Sequence, residues 1–146
     1  MRRRRQRGNA LVEAALGFTV LFPVLLGTFQ FGLAFYYYNE LASAVRAGAR
    51  YASVRTYDSA TSTPSAAYVQ AVRNVAVFGH PAGGTRPLVQ GLTAEHVSVS
   101  MVMTRGVPSH VRVRINNFPM NVILKTFTIS KPEAVFPYLG NYAPAT

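Results

Sequence analysis

The sequence predicts an α+β protein: one long amino-terminal transmembrane helix that extends into a small head of one or two helices packed on a three- to four-stranded antiparallel sheet. Three observations carry this. From Ala14 to Asn39 no residue is charged, and a helix over that stretch rises about 39 Å, against roughly 30 Å of bilayer hydrocarbon. Beyond Glu40 the apolar residues Leu41, Val45, Ala49 and Ala52 keep a helical spacing, with Arg46, Arg50 and Arg55 on another face. From Val97 onward the apolar period falls to two, as it does in half-buried strands.

The helix is expected as one rod from about Ala10 to Val54, because Ala42, Ala44, Ala47, Ala49 and Ala52 favour helix intrinsically where the charges begin. Its basic flank, Arg2, Arg3, Arg4, Arg5 and Arg7, predicts a cytoplasmic amino end and an exported remainder. Tyr36, Tyr37 and Tyr38 close the apolar stretch. A cleaved secretory signal has an apolar core of about 7–15 residues. This one is far longer, and the small-residue triplet Ala42-Ser43-Ala44 comes too late to be its cut site. An anchored protein is therefore expected. Within the span, Pro23 frees a backbone carbonyl that Thr19 is placed to help satisfy. Gly17, Gly27, Gly32 and Gln30 have two readings: an isolated anchor that tolerates them, or a helix that packs closely on other helices.

Thr56 to Thr63 is a polar connector, and Thr63-Pro64 predicts a helix start with a hydroxyl cap and proline at the first helical position. Tyr68, Val72, Val75 and Ala76 share one apolar face, and Gly79 before His80-Pro81 ends that helix. Pro81 to Gly91 reads as loop. Val97, Val99, Met101 and Met103 form one face of a strand, Arg105 to Ser109 a turn, and Val111, Val113 and Ile115 the matching face of its hairpin partner. Phe118-Pro119 is expected to break the hairpin, with a third strand from Val122 to Ile129 and a short edge strand from Ala134 to Tyr138 confined by Pro137. The chain thus divides into a basic leader (1–8), a transmembrane and extended helix (9–55) and an exported head (56–146).

Composition narrows the function. The net charge is +10, but five of the fifteen basic residues lie in the first seven positions, and no basic block with interleaved aromatics follows. That speaks against nucleic acid as a partner. Cysteine is absent, which excludes disulfides and cysteine-based metal or redox sites. His80, His96 and His110 have no metal-ligand spacing, the carboxylates form no pair, and no phosphate-binding glycine loop is present. No catalytic residue, cofactor or metal is expected. His110, Arg112 and Arg114 alternate along one strand as a cationic face, read either as an ordinary solvated surface or as a binding surface for anionic glycans or other anionic partners.

Glu13 also has two readings. It sits near the helix start, where headgroup solvation costs little. Alternatively, a cut after Gly8 would place the new amine of Asn9 about one helical turn from the carboxylate. Glu13 would then pair with the amine of an adjacent subunit and set the register between helices, since a buried charge is tolerated only when paired.

A basic leader ending in Gly8, four further residues, then Glu13 and a long apolar helix resembles the processing site of type IV pilins and pseudopilins. The longer run is similar to the amino-terminal signature of TadE-like proteins of the tight-adherence (Flp) pilus system. Val12-Glu13, Pro23, Phe31-Gly32 and Ala44 to Ala52 (AVRAGARYA) stand in that family's order. One departure is Ala14, where relatives often have an aromatic residue. The resemblance implies a non-enzymatic, single-pass inner-membrane protein acting as a minor pilin or pseudopilin in pilus assembly and adhesion. It further implies trimming by a prepilin peptidase between Gly8 and Asn9, and homo- or hetero-oligomeric partners among pilins and the Tad assembly machinery. An envelope protein whose head binds a partner without entering a filament is the alternative.

Overall fold

The computed structural model of the protein describes residues 2–144, with side chains described from Gly8 onward. Helix α1 (Arg2–Val54) runs without a break through Pro23. Thr19 Oγ1 donates to the Ala15 carbonyl at 2.9 Å, one turn back, and so does not serve the carbonyl that Pro23 leaves free. Thr28 Oγ1 bonds Val24 in the same way.

Helix α2 (Ala66–Phe78) starts two residues later than expected. Its cap is Ser65, whose Oγ accepts the Tyr68 N–H at 3.2 Å and donates to Asp58 Oδ2 at 2.7 Å. Thr63 is drawn instead into the preceding turn, where its carbonyl accepts Ser59 Oγ at 2.7 Å. Gly79, in the left-handed region, closes the helix as expected by donating to the Val75 carbonyl. The expected apolar face is buried at Tyr68, Val72, Val75 and Ala76, joined by Ala71 and Val77.

The expected single sheet is two. A three-stranded antiparallel sheet has the order β1 (Val97–Thr104), β2 (Val107–Ile115), β5 (Glu133–Pro137), and β3 (Phe118–Asn121) pairs separately with β4 (Thr126–Ile129). A short 3-10 turn, Ala94–His96, leads into β1. The β1–β2 turn is only Arg105-Gly106, both with positive φ (54° and 81°), which matches the twist of the flanking strands. Val107 to Ser109, expected in the turn, therefore belongs to β2. The hairpin ends at Ile115, before Phe118-Pro119 as expected, but Pro119 lies inside β3 of the second sheet, a strand with one partner only, so its missing N–H costs no ladder bond. The expected third strand, Val122 to Ile129, is in fact the β3–β4 turn followed by β4.

The core lies where α1, α2 and the three-stranded sheet meet. Leu41, Val45, Ala49 and Ala52 of α1 are fully buried with Val72 and Ala76 of α2 and with Val111, Val113 and Ile115 of β2. The outer half of the long rod is therefore a core helix of the head.

Candidate functional site

The candidate site is α1 itself, and its two halves have opposite environments. Below Leu25 the apolar side chains are bare on every side, from Leu11 at 72% exposure to Phe22 at 55%. A helix apolar all round suits a membrane or a protein interior, not water. It is long and apolar enough to cross a membrane, a property shared by signal sequences near an amino terminus. Gly8, Asn9 and Glu13 are helical and exposed. Gly8, Gly17, Gly27 and Gly32 have open space where a side chain would be. The side chains of Arg2, Arg3, Arg4, Arg5 and Arg7 lie outside the described residues.

From Leu41 upward α1 is held by the head. Gly48, within AVRAGARYA, lies close against α2: a Cβ there would lie 3.1 Å from the Ala76 Cβ and 3.4 Å from the Val72 carbonyl oxygen. Arg46 and Arg50 stay exposed. The last carbonyls of α1, which a helix leaves without partners, are met from elsewhere in the head. Tyr68 Oη donates to Ala52, the Leu139 N–H to Ser53 at 2.8 Å, and Tyr138 Oη to Arg55 at 2.8 Å. Tyr57 packs edge-on against Tyr68 and stacks on Tyr142, and its backbone pairs with the chain's final segment. Burial pushes the Tyr68 hydroxyl far above the usual phenol range and raises Tyr57 and Tyr138 in the same direction.

Between these halves the head reaches down the rod. Leu33, Ala34 and Tyr37 pack against the core, so the tyrosine triplet touches the head at Tyr37. Lower still, the tip of the β3–β4 hairpin stands beside α1. Leu124 and Phe127 share a cleft of about 340 Å³ with Pro23, Leu26, Gly27 and Gln30. Ile123 lies beside Thr28, Gly32 and Tyr36. Gln30 thus finds a protein neighbour in its own chain, yet its Oε1 is buried with no hydrogen-bond donor among the described residues. Sequence reading missed this hairpin because Ile123-Leu124 carries no turn residue, and the alternating pattern ran straight through it.

The residues His110, Arg112 and Arg114 do not present three free cations. Arg114 Nε donates to the Ser130 carbonyl at 3.0 Å and is partly buried, while Arg112 Nε lies 3.9 Å from Glu133 Oε1. His110 is exposed at the outer end of that row, paired in register with Pro137. Among the described residues no cluster of His, Asp and Glu is arranged to hold a metal.

No curated protein and no solved structure matches the chain. The model of the TadE-like protein family matches residues 8–50. That match covers the bare apolar half of α1 and runs into the segment that Gly48 fits against α2. Residues 8–50 of this chain are thus similar to the TadE-like protein family, which is associated with Tad pilus systems and whose members are generally non-enzymatic.

Proposed function

We propose that this protein is a minor pilin or pseudopilin of a Tad (Flp) pilus, anchored in the inner membrane by α1 with its head exported, and acting in pilus assembly and surface adhesion. The observation that carries the reading is the division of one unbroken helix. Its first half is apolar and without protein cover, and its second half is locked into the core of a folded head. A rod of that kind holds a subunit in lipid and also offers a surface on which the helices of other subunits can lie. Gly8, Asn9 and Glu13 supply the processing site in this reading, and Gly17, Pro23, Gly27, Gln30 and Gly32 the packing surface. The partners are the membrane, a prepilin peptidase, other pilins or pseudopilins and the Tad machinery.

Mass spectrometry of the chain from cells with an active prepilin peptidase tests the proposal. The expected mature terminus is Asn9, with the leader retained in a Gly8→Leu variant. An intact leader in peptidase-active cells counts against a pilin. A trimmed chain found only in the membrane fraction, never with sheared pili, favours a role at the base of the filament.

A further inference from the structure

We infer that the β3–β4 hairpin is a second membrane contact, its Ile123-Leu124 tip inserting into the outer face of the bilayer beside α1. The inference rests on α1 being a membrane span and adds an element outside that helix.

Geometry drives it. The lowest residues of α1 that line a cleft with the hairpin are Pro23 and Leu26. From Ala14, the first residue after the Glu13 carboxylate, to Leu26 is twelve helical steps, about 18 Å of rise. The hydrocarbon layer is roughly 30 Å thick. Starting from Ala10 instead, with Glu13 reaching back to the headgroups, the rise to Leu26 is only about 24 Å. The helix cannot complete its crossing below the hairpin. The tip must therefore share the level of the outer leaflet, and any helix tilt brings it deeper.

The tip has the chemistry for that place. A two-residue hairpin loop ordinarily takes Asn, Asp or Gly, but here it is Ile123-Leu124, 57% and 66% exposed. Their contacts with α1 cover only part of these two large apolar side chains and leave more than half of each exposed. The loop is closed by the Val122 N–H on the Lys125 carbonyl (3.1 Å) and the Lys125 N–H on the Val122 carbonyl (3.3 Å). Lys125, whose Nζ sits 5.5 Å from the centre of the Phe127 ring, flanks the tip as a cation suited to phosphate headgroups. A strand pair with open edges can enter the interfacial layer but not the hydrocarbon centre, where unpaired backbone is excluded. Counted from Ala10, Leu26 lies about 6 Å below the outer boundary, within the roughly 5–10 Å that interfacial elements reach.

With α1 and the hairpin both seated, the head is held at two points and its tilt against the membrane is fixed. The rival occupant of this surface is the helix of a second copy, which could reach the cleft and supply a donor to Gln30 Oε1.

The chain has no cysteine, so single labels can be placed cleanly. Full-length Phe22→Cys, Ile123→Cys, Leu124→Cys and Leu139→Cys variants would each carry an environment-sensitive fluorophore in phosphatidylethanolamine–phosphatidylglycerol vesicles. Lipid nitroxides at shallow and deep positions, and aqueous iodide, are the quenchers. The expected result is deep-nitroxide quenching at Phe22, shallow-nitroxide quenching at Ile123 and Leu124 that persists as protein is diluted in lipid, and iodide quenching alone at Leu139. Iodide quenching at both tip positions while Phe22 stays in lipid overturns the hairpin contact and leaves the span intact. Protection of the tip only at high protein density overturns it in favour of a second copy. Iodide quenching at Phe22 removes the span and the inference together.

Discussion

The hydroxyl of Tyr68, in the first turn of α2, donates to the carbonyl of Ala52 in the last turn of α1. Both groups are buried, so the bond satisfies a carbonyl that the helix end leaves without an intrahelical donor. Tyr68→Phe keeps the ring and its edge-on packing against Tyr57 but strands the Ala52 carbonyl. The expected cost is about 1–3 kcal/mol, read as a lower denaturation midpoint of the head in the full-length protein in detergent. A midpoint equal to wild type would mean that water replaces the hydroxyl.

The same cluster sets a limit at high pH. Tyr57, Tyr68 and Tyr138 titrate above the ordinary phenol value of 10.0 because burial penalises the phenolate. A group whose folded pKa is raised contributes stability that is fully present below the unfolded pKa and is lost as pH climbs through the folded one. Stability should therefore be level up to about pH 10 on this account and fall above it. Phenolate absorbance from these three residues should appear together with loss of near-ultraviolet circular dichroism. Ionisation of all the tyrosines with the fold intact would contradict the buried cluster.

Gly48 separates two effects of opposite sign. Gly48→Ala gains about 1 kcal/mol of helix propensity, which the 3.1 Å approach to the Ala76 Cβ offsets, so its net effect should be small. Gly48→Val adds two further methyl groups at that crossing and should destabilise by about 1–3 kcal/mol. Thermal melts of the two variants side by side check the contrast. Equal stability would mean that α1 and α2 separate without penalty.

Much of this architecture was legible in the residues, for a physical reason. A long stretch apolar on every side, an alanine-rich extension and strictly alternating strands each carry a recognisable period. Leu41, Val45, Ala49, Ala52, Val97, Val111, Val113 and Ile115 were readable in this way. Boundaries set by tertiary partners were not. Ser65 displaced Thr63 as cap because Asp58 and the Tyr68 amide converge on it. Pro119 sits in a strand because only β4 flanks it. The Ile123-Leu124 turn escaped notice because its side chains suit a strand interior. Gln30 was legible as a residue in need of a protein neighbour, but not that the neighbour would be the hairpin of the same chain.

The cationic row on β2 divides into structural and free residues, and substitution should separate them. Arg114 supports the Ser130 carbonyl across to the segment before β5, so Arg114→Ala should cost about 1–3 kcal/mol of head stability. Arg112 is half exposed, with only a long contact to Glu133, so Arg112→Ala should change stability by less than about 1 kcal/mol. A binding role for this face would show as weaker adhesion in Arg112→Glu with an unaltered melt. Unaltered adhesion in that variant assigns the row to ordinary solvated surface.

Glu13 offers the sharpest test of assembly, because its side chain is exposed and plays no part in the fold of the head. If it pairs with the Asn9 amine of an adjacent trimmed subunit inside the helix bundle, Glu13→Gln leaves that amine buried without a counter-charge. Breaking a buried pair by removing one partner costs about 3–5 kcal/mol, enough to lower the association constant by two to three orders of magnitude or more. Membrane retention and the melting of the head should be untouched, while crosslinked oligomers and pilus-associated chain should fall away. Comparing trimmed and untrimmed forms completes the argument, since the pair requires the amine that cleavage creates. Assembly equal to wild type in trimmed Glu13→Gln would return Glu13 to the headgroup layer, as a solvated residue at the start of the span.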